Sequence, residues 1–249
     1  MTFADRLAAS WARSGSLLCV GLDPDPARYP EPWRDRPEHT ADFCIAIVEA
    51  TADLVCAFKP QVAYFSAIGA EDQLERVIAH VRANNPWLPV ILDAKRGDIG
   101  PTAEQYAKEA FDRYGADAVT VNPYLGLDAV APFLDHERGA VLVLCRTSNP
   151  GSGDFQLLEA RAQGEDDTEP VFAHVARRVT DRWGDTGRVG LVVGATYPRE
   201  LAEVRELVGD LPILVPGVGA QGGDPAAIVT AGATADGTGL VVNSSRPCA

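Results

Sequence analysis

Histidine is scarce in this chain, and cysteine comes without a pairing motif. The four histidines, His39, His80, His136 and His174, are scattered, and no two stand at a metal-ligand spacing such as HExxH. A dedicated zinc site is therefore not expected. The five cysteines, Cys19, Cys44, Cys56, Cys145 and Cys248, contain no CxxC pair. Four of them lie inside apolar segments, where a reduced, buried thiol is the expected state. No apolar run is long enough to cross a bilayer. The opening stretch, "MTFADRLAASWARSG", lacks the basic-then-apolar layout of a signal peptide and reads as a short amphipathic helix. The expectation is a cytoplasmic protein with no membrane partner. Positive charge is also short: the formal net charge is −13. Such a surface repels nucleic acid and anionic lipid at long range. An anionic ligand would need a local cluster of cations and backbone N–H groups.

What is present is a repeating apolar pattern. Eight runs recur along the chain: "LLCVGLD" (17–23), "LVCAFKP" (54–60), "PVILDAK" (89–95), "AVTVNPY" (118–124), "AVLVLCRTS" (140–148), "VGLVVGAT" (189–196), "PILVPGVG" (212–219) and "GLVVNSS" (239–245). Their near-continuous hydrophobicity fits strands buried on both faces, as in a parallel sheet. Helical signals lie between them. Leu74, Val77, Ile78 and Val81 follow helical spacing, and Leu201, Val204, Leu207 and Val208 nearly do. Pro170 opens "EPVFAHVARRVTDRW" in a first-turn position, and Asp224 before Pro225 reads as an N-cap. Thr102 and Gln105 have capping-box spacing. Eight strands alternating with helices in 249 residues argue for a single α/β domain, a (β/α)8 TIM barrel, with a doubly wound open sheet as the alternative. No linker or internal repeat divides it. The most loop-like stretches are 24–39 and 149–169, and the second, following the fifth strand, is a candidate lid.

In such a barrel the site lies at the C-terminal ends of the strands. Those ends hold Asp23, Lys59, Asp93 with Lys95, Asn122, Ser148, Thr196, the run Gly217 to Gln221, and Arg246. Each alone has an ordinary explanation in turn chemistry or a snorkelling side chain. Their convergence on one face favours function. Asp93 and Lys95 are two apart and so share a side of their strand. Arg96 points the other way and is read as structural. Asp98 follows the strand, in a turn where Gly97 allows unusual dihedrals. "PGVGAQGGDP" (216–225) joins the seventh strand to a capped helix start, and Gly217 and Gly219 let backbone N–H groups approach an anion. Arg246 after the eighth strand supplies a bidentate cation, and Gln221 an amide donor.

"LDAKRGDIGPT", with "KPQVAYF", "TSNPG", "VVGAT" and "PGVGAQGGD" in order, resembles orotidine 5′-phosphate decarboxylase in its bacterial long-loop (type 2) subgroup. The resemblance runs from "GLDP" to "NSSR", nearly the whole chain. It implies cofactor-independent decarboxylation of orotidine 5′-monophosphate by a homodimer with shared active sites. Lys59, Asp93, Lys95 and Asp98 then look like the charged tetrad, with Lys95 the acid that protonates C6. Asp98 and Thr102 look like the residues that cross into the partner's site, although Thr102 is equally read as a helix cap. Asp23 and Lys59 would hold the ribose hydroxyls, Ser148 the pyrimidine, and Gln221 and Arg246 the phosphate. The family continues into a closing helix after the eighth strand. This chain stops at Ala249, which leaves room for a barrel over 1–249 whose closing helix is missing. Two rival readings remain: a metal-dependent sugar-phosphate decarboxylase or synthase on a related barrel, and a non-catalytic barrel that binds a phosphorylated ligand.

Overall fold

A computed structural model of the protein describes residues 1–161, 167–218 and 222–245. Eight parallel strands form one sheet: β1 (Leu18–Leu22), β2 (Ala57–Pro60), β3 (Ile91–Arg96), β4 (Ala118–Val121), β5 (Val141–Arg146), β6 (Val189–Val193), β7 (Ile213–Val215) and β8 (Leu240–Ser244). Their spatial order is β2-β1-β8-β7-β6-β5-β4-β3. Single bridges from Phe58 to Val90 and from Gln61 to Asp93 bring β2 against β3 and close the ring. This is the expected (β/α)8 barrel; seven of the eight apolar runs contain their strand whole, and β3 ends one residue beyond its run, at Arg96.

The helices cover the outside because their apolar faces match the outward side chains of the strands. In α4 (Glu71–Asn84), Leu74, Val77, Ile78 and Val81 are all buried. In α9 (Pro198–Val208), Leu201, Val204 and Val208 are buried while Leu207 is only partly so. Asp224 caps α10 (Pro225–Gly232), accepting from the Ala226 N–H at 3.0 Å. Pro170 stands at the N-cap of α8 (Val171–Trp183), one residue outside the helix, where its missing N–H costs nothing.

The opening amphipathic stretch is α1 (Phe3–Ser14), fixed by a reciprocal capping box between Thr2 and Asp5. It seals the N-terminal end of the barrel. Phe3 and Leu7 pack on the inward side chains Cys19, Ala57, Ile91, Ala118, Leu142, Val192, Leu214 and Val241. Ser10 Oγ donates to the Cys56 carbonyl at 2.7 Å, and Trp11 Nε1 to the Leu240 carbonyl at 3.0 Å.

Three local expectations are corrected. Thr102 does not cap α5 (Gly100–Lys108): the N-cap is Ile99, no side chain caps it, and Thr102 lies exposed in the first turn. Gly97 is not the residue with unusual dihedrals. It lacks a side chain because a Cβ there would lie 3.2 Å from the Asn122 carbonyl oxygen, and the positive φ falls instead at Lys95 (46°) and Gly100 (51°). The stretch 149–169 is not simply a loop. It carries a turn at Pro150–Ser152, a short helix (Gly153–Gln156), and a two-stranded ribbon that pairs Glu159–Ala160 with Glu169–Pro170. Cys19, Cys44, Cys56 and Cys145 are buried and free, as expected, and burial pushes the thiols of Cys44, Cys56 and Cys145 up to about 12. Cys248 lies outside the described residues. No helix among the described residues is long and apolar enough to cross a membrane.

Candidate active site

Side chains alternate along a strand, so the residue two beyond each inward apolar side chain also faces the barrel interior. That step converts the sealed apolar layer into Gly21, Lys59, Asp93, Thr120, Leu144, Gly194, Pro216 and Asn243. Lys59, Asp93, Thr120 and Asn243 are all buried. Polar groups at this depth must be paired or held for a ligand.

Asp93 is the hub. Its Oδ2 accepts from Lys59 Nζ at 3.0 Å. Its Oδ1 accepts from Lys95 Nζ at 2.6 Å and from Thr120 Oγ1 at 2.8 Å. Burial alone would raise the Asp93 carboxyl, but the ammonium groups of Lys59 and Lys95 outweigh it and hold the carboxyl well below the usual carboxylate range. Burial alone would likewise lower Lys59, and Asp93 and Asp23 outweigh it, raising Lys59 above its ordinary value. Asp93 and Lys59 therefore both carry charge at neutral pH.

Lys95 reaches this cluster through an irregular backbone. Between Leu92 and Arg96, β3 has three residues where β4 has one, Thr120, and the register shifts there. Lys95 sits at the turn with φ 46°. A residue other than glycine in that region costs about 1–3 kcal/mol and persists only where its surroundings hold it. Arg96 points outward, as expected, donating to Glu109 at 2.7 Å and lying over the Tyr106 ring.

A cavity of about 890 Å³ opens above the cluster. Asp93, Lys95, Thr120, Asn122, Ser148 and Phe155 are among its walls. Ser148 is brought there by a locked segment. Arg146, 2% exposed, stacks on the Tyr197 ring at 3.7 Å and bonds Ser152 Oγ. Gln156 accepts from the Thr147 N–H at 2.9 Å and donates to Thr147 Oγ1 at 2.8 Å. Gly194 is bare because a Cβ would lie 2.7 Å from that of Ser148. At or just beyond the C-terminal ends of their strands, Asp23 Oδ1, Thr196 Oγ1 and Asn243 Oδ1 are buried without hydrogen-bond partners among the described residues. Unpaired buried oxygens at this end of the barrel suit a polar ligand.

The structure thus brings together Lys59, Asp93, Lys95 and Ser148, with Asp23 placed close enough to act on Lys59. Asp98 does not join them: it is half-buried, and its Oδ1 accepts from the Ile99 N–H at 2.8 Å. Gly217 adopts φ 97° at the start of the loop after β7. Gly219, Gln221 and Arg246 lie outside the described residues. Thr120, Asn243 and Arg146 are functional-site residues that sequence reasoning missed. The available signal was a lone polar residue inside each apolar run: "AVTV", "LVVN" and "LVLCR".

Comparison with known proteins agrees with this geometry. Residues 16–248 match the family described as orotidine 5′-phosphate decarboxylase / HUMPS. The chain is 59% identical over 246 residues to an orotidine 5′-phosphate decarboxylase of Dechloromonas aromatica, covering 99% of this chain and 89% of the relative. It is 60% identical to that of Ralstonia pickettii with the same coverage. Among solved structures, Leishmania donovani OMP decarboxylase superposes with a TM-score of 0.85 at 42% identity, over 99% of this chain and 90% of that one. The barrel, its charged strand ends and these relationships agree, and the chain belongs to the orotidine 5′-phosphate decarboxylase family.

Proposed function

We infer that the protein decarboxylates orotidine 5′-monophosphate to uridine 5′-monophosphate, the last step of de novo pyrimidine nucleotide synthesis. The observation that carries this is the bonded Lys59–Asp93–Lys95 array beneath a cavity large enough for a nucleotide base. Losing carbon dioxide from C6 leaves an electron pair on a carbon that no neighbouring carbonyl can simply delocalise. Preorganised charge is then the available means of stabilisation.

In this reading the bond from C6 to the carboxylate carbon breaks, carbon dioxide departs, and the electron pair stays on C6. The Lys95 ammonium stabilises that charge and gives C6 a proton, then regains one from solvent. Asp93 keeps Lys95 protonated and aimed, and sits by the departing carboxylate. Asp23 and Lys59 hold ribose hydroxyls, and the unpaired Asp23 Oδ1 suits that task. Ser148 contacts the pyrimidine. Gly217 and Gly219, with Gln221 and Arg246, grip the phosphate, and this remote contact orders the ring for reaction. Asp98 and Thr102 serve the neighbouring site of a homodimer. Thr102 is exposed and Asp98 only half-buried, and the carboxylate of Asp98 bonds its neighbour Ile99 and not the cluster, which supports that assignment. The protein acts in the cytoplasm.

The test is consumption of orotidine 5′-monophosphate, followed spectrophotometrically, by protein dialysed against a chelator with no cofactor added. Conversion to uridine 5′-monophosphate is expected. Activity that appears only when a divalent metal is restored would favour the metal-dependent rival reading, and ligand binding without turnover would favour a non-catalytic barrel. The shared site has its own test. Mixed Lys95→Ala and Asp98→Ala subunits are expected to regain activity, because one site of the heterodimer is intact; no recovery after confirmed exchange contradicts it.

A further inference from the structure

The strained backbone at Lys95 is held by one hydroxyl. Thr120 is 1% exposed on the inward face of β4, level with Lys59 and Asp93. Its Oγ1 accepts from the Ala94 N–H at 3.0 Å and from the Lys95 N–H at 2.9 Å, and donates to Asp93 Oδ1 at 2.8 Å. A hydroxyl has one proton and two lone pairs. All three are used, and all three bonds go to the segment that carries the reacting lysine.

The position matters as much as the number. Regular β3–β4 pairing fails between Leu92 and Arg96. The N–H groups of Ala94 and Lys95 therefore bond to a side chain in place of the neighbouring strand. Without that acceptor, two backbone donors of the bulge would lose their partner, and the φ of 46° at Lys95 would lose its support. Asp93 Oδ1 receives both the Thr120 hydroxyl and the Lys95 ammonium, so Thr120 also fixes the oxygen on which Lys95 is aimed.

We propose that Thr120 is a positioning residue for the decarboxylation: its hydroxyl sets the left-handed turn and the Asp93 rotamer that together aim the Lys95 ammonium at the reacting carbon. The proposal rests on the decarboxylase reading and adds a residue to it. A serine should do the same work, since it keeps the hydroxyl. Alanine, or valine with nearly the same shape, should not.

The experiment compares Thr120→Ala and Thr120→Ser with the parent in two ways. Steady-state turnover of orotidine 5′-monophosphate is expected to show kcat of Thr120→Ala reduced about a hundredfold with KM within about threefold, and Thr120→Ser within about threefold of the parent in both. Amide hydrogen exchange is expected to be at least about tenfold faster at Ala94 and Lys95 in the alanine variant. Exchange at Ile91 and Leu92 should be unchanged. A residue that only filled space would slow neither chemistry nor be rescued by serine. Alanine and serine variants alike in kcat and in exchange would overturn the assignment. A parent that does not turn over the substrate would overturn the decarboxylase reading, while exchange at Ala94 and Lys95 would still decide whether Thr120 anchors the turn. Should Thr120→Ala not fold, Thr120→Val, which preserves the packing, makes the same comparison.

Discussion

Two layers of the barrel interior lie one side-chain alternation apart and could hardly differ more. The lower one is Cys19, Ala57, Ile91, Ala118, Leu142, Val192, Leu214 and Val241, closed beneath by Phe3 and Leu7. The upper one replaces these with Lys59, Asp93, Thr120 and Asn243 among small or apolar neighbours. The strands that bear them are the same. The lower layer stabilises by burial alone. The upper layer places charge where burial is costly and compensates by pairing, which is worthwhile only if the charges do something else. The dry floor also sharpens the chemistry, because charges above an apolar layer act in a medium of low dielectric.

Substitutions on β3 test that division most sharply, since Ile91 and Asp93 are neighbours in the two layers. Asp93→Ala is expected to have the largest effect. It should abolish measurable turnover and also destabilise the fold by about 3–5 kcal/mol, because Lys59 is left buried without its partner. Turnover and urea denaturation together check this. Ile91→Ala is expected to cost about 2–5 kcal/mol through the cavity it leaves, with kcat/KM changed little below its melting temperature. If Ile91→Ala lost activity as Asp93→Ala does, the layers would not be separate.

A third substitution probes how the upper layer is walled. Arg146→Met removes the cation that ties Ser152 and Tyr197 together behind Ser148. Losing the bonds it makes should raise KM roughly tenfold, equivalent to about 1.4 kcal/mol, with a smaller change in kcat. The smallest effect is one of pH. Asp93 is held below its ordinary value of 3.8, so its contribution to stability is fully present above about pH 5 and is lost as the pH falls through its depressed value. Lys59 is raised above 10.5, so its contribution is fully present below that value and is lost only as the pH rises through the raised one. The difference in unfolding free energy between the parent and Asp93→Asn should therefore be full just above about pH 5 and narrow below about pH 4. A difference that did not narrow in acid would mean that Asp93 is not held as a paired carboxylate.

The same contrast explains what was legible in the sequence. The lower layer and the outer helix faces announce themselves by periodicity, so all eight strands and the faces of α4 and α9 can be found from residue spacing. Lys59, Asp93 and Lys95 are visible because charge at the end of an apolar run is rare. Thr120 and Asn243 are not, because one polar residue in a strand carries no meaning until the register shows which layer it joins. The β3 bulge is hidden for a related reason: nothing in "LDAKRG" says that three residues will stand against one. Sequence spacing correctly put Asp93 and Lys95 on one side, but the contact is made through a left-handed residue and not through regular alternation. Thr102 and Gln105 had the spacing of a capping box, and the helix began three residues too early for it to form.

The most direct test of the account is the turnover of orotidine 5′-monophosphate by Lys95→Ala, measured beside its urea denaturation. Lys95 is half-exposed and its ion pair with Asp93 is one of two, so removing it should change stability by no more than about 1 kcal/mol. Removing the proton donor and the charge at the reacting carbon should lower kcat by about a thousandfold or more. A folded Lys95→Ala protein with parental turnover would contradict the assignment of the upper layer as the catalytic one.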